Sequence, residues 1–236
     1  MINFILNKKP NSDIGFFYFK LYLIIISIVY LIILITVVIS LKAFKNMAFF
    51  DKYKFQISKI TEGDHYRMFT SAFLHVDYNH LFLNLFTLFL FSNQVLIKTG
   101  SVGYIFIYII SLLSGSYFAL LYHKNEPFYS AVGASGAVTG IVYSSILLYP
   151  EMKLVMLFFP IPLPGYVFGI AYLLYSIYGM KKNIGNIGHT AHFGGAIAGL
   201  LSTIFINPSV LFNDLWIIII LISPLLYFFY RSDKKN

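Results

Sequence analysis

The sequence predicts an all-α polytopic membrane protein. The 236-residue chain is 58% hydrophobic and only 11% charged, whereas a soluble domain carries about 25% charged residues. It cannot cover a water-facing surface with so few charges, and its mean hydropathy is +0.77. The apolar residues also fall into runs close to the ~20 residues that a spanning helix needs.

Seven runs qualify, at about 18–41, 80–97, 103–122, 133–149, 165–180, 189–206 and 213–230. The first includes the apolar stretch Leu21 to Leu41. That is longer than the ~7–15 apolar residues of a signal peptide, and no small-x-small cleavage site follows, so it reads as a retained span. Several later runs are short and rich in Gly, Ser and Thr, which suits helices packed on protein rather than lipid. The run 165–180 is the weakest. The stretch before it, Phe158 to Pro164, is apolar but broken by Pro160, Pro162 and Pro164, and reads as a loop dipping into the interface. The last run holds Pro224, which neighbouring helices or waters can accommodate. With no repeat, low-complexity tract or linker, residues 1–236 read as one membrane domain. Its core covers about 18–206, with an extra C-terminal helix at about 213–230.

The longest connection, Lys42 to Leu74, interleaves Lys45, Lys52, Lys54, Lys59, Arg67, Asp51, Glu62 and Asp64 with Phe49, Phe50, Phe55, Ile57 and Ile60. A connection of this length is expected to fold, partly within the membrane interface. The formal charge of +8 fits Lys and Arg at membrane surfaces rather than nucleic-acid binding. With seven spans, Lys8, Lys9, Lys20, Lys98 and Lys153 fall on the N-terminal side and the other twelve of the 17 Lys and Arg on the opposite side. The positive-inside rule alone then favours an external N-terminus.

Composition also excludes chemistries. The chain has no Cys, hence no thiolate nucleophile and no Cys-based metal site. None of the nine acids lies in the middle of a predicted span, and there is no sign of inverted repeats, which argues against a proton-coupled or small-solute transporter. There is no His-Glu-x-x-His, which argues against a membrane metalloprotease.

Histidine is left as the ionisable type near the bilayer interior, and it occurs in two motifs. In "HVDYNHLFLN", His80 and Asn84 share one helix face, with Asp77 a candidate cap before them. In "GHTAHFGGAIAGLLS", His192 stands above Gly195, Ala196 and Gly199, a strip of small residues that lets backbones approach. His189 and His192 form a His-x-x-His pair, but no carboxylate or thiolate is near enough in sequence to complete a metal site. A third motif, "GASGAVTG", places Ser135 between Gly133 and Gly136, with Gly136 and Gly140 in Gly-x-x-x-Gly spacing.

Each motif has a plain packing reading: polar residues bonding neighbouring helices, or glycine faces in contact. Their combination points to chemistry. A serine hydroxyl needs a base, usually a neutral imidazole, and the tetrahedral intermediate needs N–H donors aimed at its oxyanion. The chain offers a serine at a helix start, a histidine on a smooth helix, and a third helix carrying two side-chain donors. With no acid for a triad, a Ser–His dyad is the natural version.

In these motifs and their order, from about Tyr66 to Ser202, the chain resembles the rhomboid family of intramembrane serine proteases. The resemblance rests on His75, His80 and Asn84; on Gly133, Ala134, Ser135 and Gly136; and on Ala191, His192, Gly195 and Gly199. It implies that Ser135 is the nucleophile and His192 the general base and then acid. It implies an oxyanion hole of His80, Asn84 and the Ser135 N–H, with Gly133 and Ala134 in the backbone beside the substrate. Gly136, Gly140, Gly195 and Gly199 would pack the fourth helix on the sixth. The implied fold is a rhomboid-like six-helix core plus a C-terminal seventh helix, with a short fourth helix that starts below the membrane surface, under a hydrophilic cavity. The fifth helix would admit substrate laterally. The implied partners are transmembrane protein substrates and the lipid bilayer, with no nucleic acid, no cofactor and no metal. The alternative is a catalytically silent protein of the same fold that binds or escorts membrane clients.

Two departures from the family pattern matter. Tyr66-Arg67 stands where Trp-Arg is usual, and Thr139 stands where many members carry an aromatic ring that stacks on the catalytic histidine. His192 must therefore be held by something else. The family orientation, with a cytoplasmic N-terminus in a prokaryotic cell membrane, runs against the charge count.

Overall fold

The computed structural model describes residues 12–156, 159–182 and 188–233. Lys8, Lys9, Phe158, Lys234 and Lys235, which entered the expectations above, lie outside the described residues. The chain is all-α in character. Helix α1 is Ser12–Lys45 and α5 is Tyr78–Tyr122. Further along, α6 is Ser135–Leu148, α7 Gly165–Lys182, α8 His189–Ile206 and α10 Leu215–Asp233. Among the described residues, three segments, Ile28–Lys45, α5 and α8, are long and apolar enough to cross a membrane, and α10 and α6 contain shorter apolar helices.

The predicted second and third spans are one 45-residue element broken at Gly100, where φ is 67° and ψ 177°. That left-handed φ favours glycine, so Gly100 is where the helix can reverse. The arms 78–99 and 101–122 fold back on each other, and the Ser92 and Tyr104 hydroxyls meet at 2.8 Å between them. Asp77 caps the first arm, accepting the His80 N–H at 2.7 Å.

The central helix is α6. Residues 136–148 are all buried. Its 14 residues reach about 21 Å at ~1.5 Å per residue, short of the ~30 Å hydrocarbon thickness. Glycine faces let its neighbours close on it. A Cβ on Gly195 would collide with the Gly136 carbonyl, and one on Gly199 with the Gly140 carbonyl. The second arm of α5 packs equally close: a Cβ on Gly115 would sit 2.7 Å from the Ala191 oxygen. Hydroxyls tie these contacts together. Ser144 shares its proton between the Gly140 and Gly199 carbonyls at 2.8 and 3.1 Å, Ser114 donates to Gly194 at 3.1 Å, and Tyr143 donates to the Gly169 carbonyl of α7.

The connection 42–74 is folded, as expected. It holds α2 (Met47–Tyr53), β1 (Phe55–Gln56), α3 (Ile57–Thr61), α4 (Arg67–Thr70) and a 3-10 turn at Ser71–Phe73. Strand β1 pairs antiparallel with β2 (Ser130–Ala131), joining Phe55 to Ala131 and Gln56 to Ser130.

The proline-rich stretch corrects the sequence reading. It forms an antiparallel hairpin of β3 (Lys153–Met156) and β4 (Phe159–Pro164), not an irregular loop. The three prolines alternate, so their missing N–H groups fall on one edge of β4, and the other edge keeps its donors for β3. After the short α9 (Val210–Asn213), α10 packs on α7 and α8, with Trp216 edge-on to Tyr166 at 5.3 Å and Phe228 at 4.7 Å from Phe193. Pro224 cannot donate to the carbonyl one turn back. The Ser223 hydroxyl takes up that Ile220 carbonyl instead, at 2.8 Å.

Candidate active site

The loop before α6 is held from below by the first connection. Ile57 and Ser58 donate their N–H groups to the Tyr129 and Pro127 carbonyls at 3.2 and 3.1 Å, and Gly133 donates to Ser71 at 3.0 Å. Arg67 is the staple of that connection. It is 6% exposed, pairs with Asp64 at 2.9 Å, and donates to the Asp51 and Lys54 carbonyls at 2.8 and 3.1 Å. Its hydrogen bond to Asp64 holds that carboxyl below the usual carboxylate range. Tyr66 is 41% exposed and stacks on the guanidinium at 5.6 Å, so the pair has two distinct jobs: a surface ring and a buried tie.

Gly133 has φ 124°, and a Cβ there would lie 2.7 Å from the His80 ring. Only glycine fits a backbone pressed against that imidazole at positive φ. Two residues later α6 begins. Its cap residue, Ala134, makes no side-chain capping bond to the N–H groups of the first turn. Ser135 stands at this start, half-buried.

A cavity of about 610 Å³ opens above Ser135. His80, Asn84, Ser135, Thr139, Tyr172 and His192 are among its lining residues. The structure thus brings together the serine, the histidine and both side-chain donors that the motifs single out. Asn84 is 6% exposed, and one of its amide hydrogens goes to the His80 carbonyl at 3.0 Å, leaving the second. His192 is 7% exposed. Among the described residues no hydrogen bond joins Ser135 to His192. Such bonds are often long in unliganded enzymes. The far wall of the cavity, from Leu83 and Thr87 on α5 to Phe168 and Tyr175 on α7, is mostly apolar.

His75 is not among the lining residues of this cavity. It is fully buried, with Nδ1 2.9 Å from Ser40 Oγ on α1. Ser40 gives its own proton to the Phe73 carbonyl at 2.9 Å, so His75 Nδ1 is the donor in the pair. Its ring lies edge-on to His80 at 4.8 Å. Burial first, and the neighbouring His80 second, push its pKa down to about 3. His75 is therefore a neutral brace behind His80. His189 packs against Gly179 and edge-on to Tyr175 at 5.2 Å, and the described residues contain no cluster of three or more His, Cys, Asp or Glu that could hold a metal.

The family pattern described as "Rhomboid domain" matches residues 62–209 of the chain. The chain belongs to the rhomboid family. Among the relatives of this rhomboid is "Rhomboid protein 1, mitochondrial" of Saccharomyces cerevisiae, 29% identical over 143 residues, or 59% of this chain and 41% of that one. "RHOMBOID-like protein 12, mitochondrial" of Arabidopsis thaliana is 26% identical over 176 residues, 68% of this chain and 52% of that one. "Rhomboid protease GluP" of Bacillus subtilis is 27% identical over 145 residues, 61% of this chain and 27% of that one. The chain thus spans about half or less of the length of these curated relatives.

Two residues of the rhomboid site were not singled out by sequence reasoning. Tyr172 of α7 reaches His192 Nδ1 at 2.9 Å, and Ser40 of α1 holds His75. Neither sits in a local motif. The only signal was indirect: Thr139 cannot supply the ring that would otherwise lie on His192.

Proposed function

We propose that this rhomboid is an intramembrane serine endopeptidase that cleaves other membrane proteins within or beside their transmembrane segments. The observation that carries the reading is the shared cavity: Ser135, at a helix start without a side-chain cap, faces it together with His192, His80 and Asn84. In the proposed reaction neutral His192 takes the Ser135 Oγ proton at Nε2 as the oxygen attacks the peptide carbonyl carbon. The oxyanion is met by the Ser135 N–H, His80 and the second Asn84 amide hydrogen. His192 then gives the proton to the departing amine, leaving an acyl-enzyme on Ser135. A cavity water loses its proton to the same nitrogen, attacks the ester, and frees Ser135 with the proton returned. Gly133 and Ala134 present backbone to the substrate beside the serine. The apolar wall between α5 and α7 suits an unwinding helical segment arriving from lipid, and no cofactor takes part.

Chain and fold make this an integral multi-pass membrane protein. We place it in the cell membrane of a prokaryote, on its likeness to the Bacillus subtilis protein; the mitochondrial names of two other relatives make an organellar membrane the competing location, which fractionation separates.

The test is a fluorophosphonate probe and a helical test substrate, both in liposomes. Wild type should be labelled and should cleave. Ser135→Ala should do neither, and His192→Ala should lose turnover while keeping its fold. A folded wild type that is neither labelled nor active would favour the silent client-binding reading.

A further inference from the structure

We infer that Tyr172 is a positioning residue for His192, with Thr139 the hydroxyl partner that can take its proton, so that the site works as a Ser–His–Tyr unit. The inference rests on the dyad proposed above. Tyr172 comes from α7, and its hydroxyl lies 2.9 Å from His192 Nδ1. The two rings lie in an offset stack, 5.5 Å between centroids with 27° between planes. One side chain therefore both stacks on the imidazole and occupies its second nitrogen.

The direction of that bond decides the chemistry. A neutral imidazole carries one N–H. If Tyr172 donates to Nδ1, the proton sits on Nε2 and His192 cannot accept from Ser135. If Nδ1–H donates to Tyr172, Nε2 is free to act as base. The second arrangement requires the Tyr172 proton to point elsewhere. Thr139 Oγ1 lies 3.5 Å from the Tyr172 oxygen, a contact in which either hydroxyl can donate; in the productive arrangement Thr139 accepts. Thr139 is buried under Tyr172 on the face of α6 that also bears Ser135, four residues earlier. Asp77, the acid in the cavity lining, accepts the His80 N–H, so a phenol does the orienting that a carboxylate would do in a triad. It also offers its oxygen to the imidazolium that forms when His192 is protonated.

The experiment measures kcat and KM on a helical substrate in liposomes, with thermal stability alongside. The variants are Tyr172→Phe, Tyr172→Ala, Thr139→Val, Thr139→Tyr and the Tyr172→Ala/Thr139→Tyr pair. Tyr172→Phe keeps the ring and loses the bond. Its kcat should fall about tenfold or more with KM and stability near wild type. Thr139→Val should lower kcat in the same way, by less. Tyr172→Ala should lose more, and adding Thr139→Tyr to it should restore part of the rate by refilling the space from α6, whereas Thr139→Tyr alone should be harmful because both rings need that space. A Tyr172→Phe enzyme with wild-type kcat overturns the inference, as does a loss that only tracks stability. Ser135→Ala in the same assay separates the two readings. If it stays active, the dyad itself is wrong. If it is dead while Tyr172→Phe is normal, only the role of Tyr172 falls.

Discussion

His75 shows how a motif residue can matter without touching substrate. It is buried, neutral and tied to α1 through Ser40. In an unfolded chain a histidine titrates near ~6.5, while here the value is about 3. Between those values the unfolded state binds more protons than the native state, so stability rises with pH across that window and is lost as pH falls from about 6.5 towards 3. Thermal melts in detergent from pH 7 to pH 4 should show a falling midpoint in wild type and a flatter profile in His75→Gln. Equal slopes would mean that His75 is not the group responsible. That Ser135, His192, His80 and Asn84 meet at one cavity was legible in the sequence because each lies in a short motif whose spacing has a chemical reason. The parts of Tyr172 and Ser40 were not, because their roles come from contacts with residues 20 and 35 positions away, and no local pattern encodes such a meeting.

At the scale of elements, the α6–α8 interface carries the site's precision. Gly195 lies one turn after His192 on α8, against the Gly136 carbonyl, one residue after Ser135. The same contact therefore sets helix spacing and the Ser135-to-His192 approach. Gly195→Ala must push the backbones apart, because the obstacle is a main-chain carbonyl rather than a movable side chain. Overpacking of this kind costs about 1–3 kcal/mol. The expected result is a lower unfolding midpoint and a turnover loss larger than the stability loss accounts for. A variant with unchanged activity would show that α8 tolerates displacement. Among the elements, α1, α8 and both arms of α5 could be read from apolar length, and the glycine faces from their spacing. The hairpin of β3 and β4 could not, because alternating prolines look like helix breakers until pairing shows which edge they occupy. The reversal within α5 was legible too, because the predicted spans 80–97 and 103–122 leave a break that contains Gly100, where the helix turns back.

For the whole molecule, the charge count and the family orientation disagree, and the fold says why. Six of the ten described Lys and Arg on the site side belong to the connection 42–74. There Lys54, Lys59 and Arg67 pair with Asp51, Glu62 and Asp64 at 2.8, 2.7 and 2.9 Å, and Arg67 is buried. The positive-inside rule counts Lys and Arg in short loops near the spans and gives acids little weight, so it still favours an external N-terminus; against it we set the family orientation and the tying of these cations into a folded element. We therefore expect the N-terminus in the cytoplasm and the site on the other side. With seven spans, a C-terminal tag should be cut by protease added to intact cells and an N-terminal tag should be spared. The reverse pattern would restore the charge rule.

Beyond Ser135, every residue of α6 is buried, so the helix that carries the serine stands clear of the lipid boundary. Its depth is thus a property of the scaffold rather than of the bilayer. When the membrane thickens or thins, the lipid boundary slides along α1 and the outer faces of α5, and Ser135 stays put. On the proposed reading the protein is a fixed gauge. Where a client helix is opened then depends on how far that helix, floating with the lipid, stands above or below an unmoving mark.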